Sequence, residues 1–108
     1  MPKASQSFQK SWVDRLKQDP EMALEYLQVS LKENGDDPKV LLSALRTIAE
    51  VRGFEELEEE SSLSQKSLYK ILSLSPSNHP RFETIHKIVD ALGLQLTVEP
   101  KGKNARFG

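Results

Sequence analysis

The densest run of hydrogen-bonding side chains that spacing places on one surface is SQKSLYK, residues 64–70. Leu68, Ile71 and Leu72 recur at helical spacing and define an inward stripe. Gln65, Lys66, Tyr69 and Lys70 then face outward, with Ser64 and Ser67 at the N-terminal end of the same short helix. These side chains suit nucleic acid. Glutamine pairs bidentately with adenine, lysine reaches guanine acceptors, and serine or tyrosine hydroxyls bind phosphate or base edges. Arg81, at the start of the next helix, is placed to touch phosphate, helped by the free backbone N–H groups there. An ordinary solvated helix face has the same pattern, and spacing alone does not separate the two readings.

The elements that must position this stretch follow from caps and apolar periodicity. Phe8, Trp12 and Leu16, with Val13 beside them, predict a first amphipathic helix after a short polar, frayed start. Asp19-Pro20 and Asp37-Pro38 each read as a helix start, an acidic cap followed by proline at the first helical position. The first opens a helix with Leu24, Leu27 and Leu31 on one face, flanked by Ala23 and Tyr26, that stops at Asn34-Gly35. The second carries Leu41, Ala44, Leu45, Ile48 and Ala49 inward and stops at Gly53. Phe54, Leu57 and Ser61 mark a two-turn helix, with a turn at Ser61, Ser62 and Leu63 and a cap at Ser64. SLSPSNHP is a loop. Pro80 opens a last helix with Phe82, Ile85, Ile88, Val89 and Leu92 inward, closed by Gly93, and 94–98 alternates as a brief strand. The expected class is therefore all-α with a short C-terminal strand. Residues 1–36 form a helical extension, 37–99 the site-bearing domain, and 100–108 a basic flexible tail.

Composition narrows the function classes. The chain has 108 residues, no cysteine, and a net charge of −1. Disulfides and thiolate chemistry are thereby excluded, which fits a reducing cytoplasm. The N-terminus lacks an apolar signal segment, and no apolar run approaches a membrane span. His79 and His86 have no metal-ligand spacing, and no G-x-S-x-G or Gly-rich phosphate loop occurs. No catalytic residue, metal or cofactor is assigned, and the chain is not expected to be an enzyme. Charge is unevenly spread: residues 37–99 hold 7 basic and 10 acidic side chains, so bulk attraction supplies little non-specific nucleic-acid binding.

Several stretches together carry a family resemblance: DPEMALEYLQVSLKENGD, ALRTIAEVRG, LSQKSLYKILS and NHPRFETIHKIVDALGLQLTV, over 19–100. The chain resembles the lambda-repressor-like helix-turn-helix regulators, and more closely the antidote (antitoxin) proteins of bacterial addiction modules. The resemblance implies an operator-binding autorepressor that also neutralises a small basic toxin. It implies base contacts from Gln65, Lys66, Ser67 and Lys70, and phosphate contacts from Ser64, Asn78 and Arg81. A stand-alone regulator, or an interaction module that has lost DNA binding, are the alternative readings. A homodimer is expected, because paired half-sites lie about 34 Å apart and the edges of the 94–98 strand are free to pair with a second copy.

Two positions depart from the family pattern. Glu58 stands where a small residue is usual in the first motif helix, and Ser62 where glycine is usual in the turn. Glu55, Glu56, Glu58, Glu59 and Glu60 make that helix acidic, and its first turn would repel phosphate. The acids also fit simple dipole chemistry on a solvated face, or a face that docks a basic toxin. The apolar side chains at Phe8, Trp12 and Leu16 are read as core, with a partner interface as the alternative.

Overall fold

The computed structural model describes the backbone of residues 2–102 and the side chains from Phe8 to Gly102. Six helices follow one another: α1 (Pro2–Lys17), α2 (Pro20–Asn34), α3 (Pro38–Arg52), α4 (Phe54–Ser61), α5 (Gln65–Ile71) and α6 (Phe82–Ala91). What is expected of Met1 and of residues 103–108 lies outside the described residues. α1 starts at Pro2, where a frayed lead was expected; proline is pre-set for a first helical position and the residues after it tolerate helix.

The Asp-Pro signals set the next two helix starts. Asp19 accepts the Met22 N–H at 3.1 Å and Asp37 the Lys39 N–H at 3.0 Å, so each acid satisfies one otherwise unpaired donor of its helix. Gly53 ends α3 and begins α4 in one residue. Its N–H donates to the Ala49 carbonyl, its carbonyl accepts from Leu57, and its φ of 97° is open to glycine at little steric cost. Gly93 closes α6 in a paired arrangement: its N–H donates to Asp90 and the Leu94 N–H reaches back to Val89.

One contiguous core runs through all six helices. Leu16 of α1 and Ala23 and Leu27 of α2 join Leu45 and Ile48 of α3, Leu57 of α4, Leu68 of α5 and Ile88 of α6. Trp12 packs edge-on against Tyr26, 5.5 Å between ring centroids, tying α1 to α2. The buried Thr47 hydroxyl donates to the Ser43 carbonyl and accepts from Gln9 of α1, so α1 and α3 are joined by a polar contact as well as by packing.

Several expectations are corrected. Among the described residues there is no strand: 94–98 lies outside any secondary structure, because a strand requires a neighbouring ladder and the described residues offer none. α6 begins at Phe82 and not at Pro80, with Arg81 in its extended cap position. Phe82 is exposed and not inward, since its side chain projects toward the helix start, where no element lies over it. Phe8 and Leu24 are also exposed, so the apolar faces of α1 and α2 are narrower than their spacing predicts.

Ser62 is the single non-glycine residue with positive φ among the described residues, at φ 62° and ψ 19°. Left-handed backbone costs an L-residue about 1–2 kcal/mol, part of which glycine loses again through unfolded-chain entropy. Ser62→Gly is therefore expected to stabilise the fold by about 0.5–1 kcal/mol, read as a higher urea midpoint; a lower midpoint would contradict it.

Candidate nucleic-acid interface

α4 and α5 are two short helices joined by a three-residue turn, and the turn is built from its own hydroxyls. The buried Ser61 Oγ accepts the Leu63 N–H at 3.1 Å. Ser64 caps α5 by accepting the Ser67 N–H at 3.1 Å, and its own hydroxyl donates to Ser67 Oγ at 3.0 Å. Leu68 at 0% exposure and Leu72 at 1% pin α5 to the core, with Ile71 partly buried beside them. The opposite face is left to Lys66 and Lys70, both exposed. Among the described residues, neither lysine nor Arg81 has an ion-pair partner.

The remaining candidate side chains have partners of their own. Tyr69 is half exposed, but its ring stacks on Phe54 of α4, with centroids 4.2 Å apart and planes 13° off parallel. That contact locks the α4–α5 angle and limits what the tyrosine can reach. Asn78 uses its amide to donate to the Ile71 and Ser73 carbonyls, at 2.8 and 2.7 Å, tying the loop to the end of α5. Arg81 holds the start of α6 through its carbonyl, which accepts from Thr84 and Ile85, and its side chain is exposed. Ser64, Gln65, Lys66, Ser67 and Lys70 thus cluster on α5, while Asn78 and Arg81 belong to the following loop and cap.

The acidic helix resolves into separate jobs. Glu56 and Glu60 both pair with Arg52, at 3.2 and 2.5 Å, and strap α4 to the end of α3 across Gly53. The Glu60 hydrogen bond, joined by the nearby Glu56 charge, raises the Arg52 pKa further above its ordinary value. Glu58 turns toward α5. Its Oε2 accepts the Gln65 backbone N–H at 3.2 Å and its Oε1 accepts the Gln65 side-chain amide at 3.4 Å. Only Glu55 and Glu59 are left exposed without a cationic partner among the described residues. Sequence spacing shows the acids but not which donors they meet. The one hint at Glu58 is its position, where the two helices cross too closely for a long side chain to avoid α5.

The described residues therefore form six helices and present a short, capped helix with a cationic outer face. A family model described as probable addiction module antidote protein matches residues 6–100. An uncharacterized protein of Haemophilus influenzae is 36% identical over 74 residues, covering 68% of this chain and 72% of that protein. No solved structure matches at a significant level. The chain belongs to the family of probable addiction module antidote proteins. Among the described residues, no helix is long and apolar enough to cross a membrane.

Proposed function

We propose that this protein is the antitoxin of a type II toxin–antitoxin module, binding operator DNA through α5 as an autorepressor and neutralising a small basic toxin. The family match across 6–100 carries this reading. The DNA-binding part is supported by α4, its turn and α5, which have the dimensions of a helix-turn-helix whose second helix enters a major groove. In this reading Lys66 and Lys70 contact bases or phosphate, Gln65 and Ser67 sit at the groove edge, and Ser64 and Arg81 approach the backbone. The protein acts in the cytoplasm as a homodimer, with the 94–98 segments of two copies pairing to set the half-site spacing. No catalytic step or cofactor forms part of this function.

The exposed Glu55 and Glu59 favour one other reading, an interaction module that keeps the fold without DNA binding. One experiment separates the two: co-expression with the product of the adjacent gene, followed by binding of the purified complex to the upstream DNA. The antitoxin reading expects a stable complex, relief of growth arrest and retention of the DNA. Relief with no retention at low or moderate salt supports the interaction module. Persistent growth arrest with no complex removes the antitoxin role, and retention of DNA in that case leaves a stand-alone regulator.

A further inference from the structure

We propose that an apolar groove between α2, α3 and the end of α6 seats Val98 of a second copy of this chain, with Glu99 of that copy on Lys17 at the groove rim. The inference rests on the homodimer reading above and says how the two copies hold each other.

The groove encloses about 410 Å3 and is walled by Leu24 and Leu27 of α2, Ile48 and Val51 of α3, and Leu92 and Leu94 after α6. Leu27, Ile48 and Leu92 belong to the buried core, but Leu24 stays 42% exposed, so the core does not close over the mouth. Lys17, Arg52 and Glu56 stand on the rim. Arg52 is taken up by Glu56 and Glu60. Lys17 is exposed and has no ion-pair partner among the described residues.

The matching half lies on the same chain. Beyond Leu94, Leu96 is 43% exposed and Val98 95%. The backbone N–H groups of Gln95 to Glu99 have no hydrogen-bond partner among the described residues. Glu99 is exposed and, among the described residues, has no ion pair. Val98 does not fill its own groove: it follows the groove residue Leu94 by four positions and is still almost fully exposed. A foreign partner has to match the exposed side chains and the groove separately, whereas a second copy matches both by symmetry. A two-fold axis beside Leu94 makes the contact twice, each copy giving one apolar projection and one groove. Four residues reach at most about 14 Å, so the two Leu94 regions lie close together and the unpaired N–H groups of both segments meet there. Lys17 and Glu99 are opposite in sign, which makes the rim of the contact complementary.

The test is equilibrium sedimentation of the full chain over a concentration series, with helix content checked by circular dichroism. V98D and L24E should each raise the dimer dissociation constant about 100-fold or more, because each loss is felt at both copies of the contact. V29D lies on the same helix as Leu24, at a residue 43% exposed, but outside the groove, and should stay within about fivefold of wild type. K17E and E99K should each weaken the dimer about tenfold, and K17E/E99K should restore it. If L24E unfolds, V98D and the charge exchange still decide. A dimer that V98D weakens no more than V29D does overturns the proposal and leaves the homodimer reading intact. A double exchange no tighter than its single variants overturns the seating of Glu99 and the proposed orientation with it. A folded wild type that stays monomeric overturns the homodimer reading, and this proposal with it.

Discussion

Leu16→Ala should lower the unfolding free energy by about 2–5 kcal/mol, although Leu16 lies some fifty residues before the candidate interface. Leu16 is fully buried, at 0% exposure, in the same cluster as Leu45, Leu57 and Leu68. Truncating it removes transfer energy and leaves a cavity that the surrounding helices fill only in part. Small domains hold only about 5–15 kcal/mol in total, so the loss is a large fraction. The contact pattern also makes a claim about cooperativity. If α1 and α2 are integral to one core, they melt together with α4–α6. Trp12, the single tryptophan, reports on α1 and α2, while circular dichroism reports on all helices. The two urea transitions should coincide in the wild type and move down together in L16A. A Trp12 transition that shifts alone would mean residues 1–36 fold as a separate extension.

The parts of this fold that can be read from sequence are those decided locally. Asp19-Pro20, Asp37-Pro38, Gly53 and Gly93 fix helix ends by caps and backbone freedom, and each stands where it is predicted. The inward stripe of α5 is likewise set by 3.6-residue spacing, as is that of α3 at Ala44, Leu45, Ile48 and Ala49, although in its first turn Leu42 is buried and the expected Leu41 only partly so. What spacing misses is decided by neighbours distant in sequence. Phe82 shares a helix face with Ile85, yet the core that buries Ile85 does not cover Phe82, so it stays exposed. Tyr69 points away from the Leu68 side of α5, and only the fold brings Phe54 against it. Glu58 reads as one more acid in a run of five charges until the turn brings it to Gln65. The 94–98 alternation is a real pattern, but a pattern cannot supply the second strand.

The double substitution Lys66→Ala, Lys70→Ala is expected to weaken operator binding by more than an order of magnitude, with the fold intact. Each base contact of this kind is worth about 1–3 kcal/mol, so losing both weakens binding roughly 30-fold to more than 1,000-fold. The effect should be large here because little else compensates. Residues 37–99 carry 7 basic against 10 acidic side chains, so non-specific attraction is weak from the start. Both lysines are exposed on α5, away from the buried Leu68, so their removal leaves the core untouched. Titrating each single variant at two salt concentrations separates the roles of the two lysines. A lysine on a base relaxes the preference at one position, whereas a lysine on phosphate weakens all sequences alike and reduces the salt slope by about 1. Glu55→Gln with Glu59→Gln serves as the opposite change, since it removes the two α4 carboxylates that have no cationic partner among the described residues and should tighten binding at low salt. If the lysine pair changes neither affinity nor slope, α5 is not the reading helix, and contact with DNA must be sought on another face.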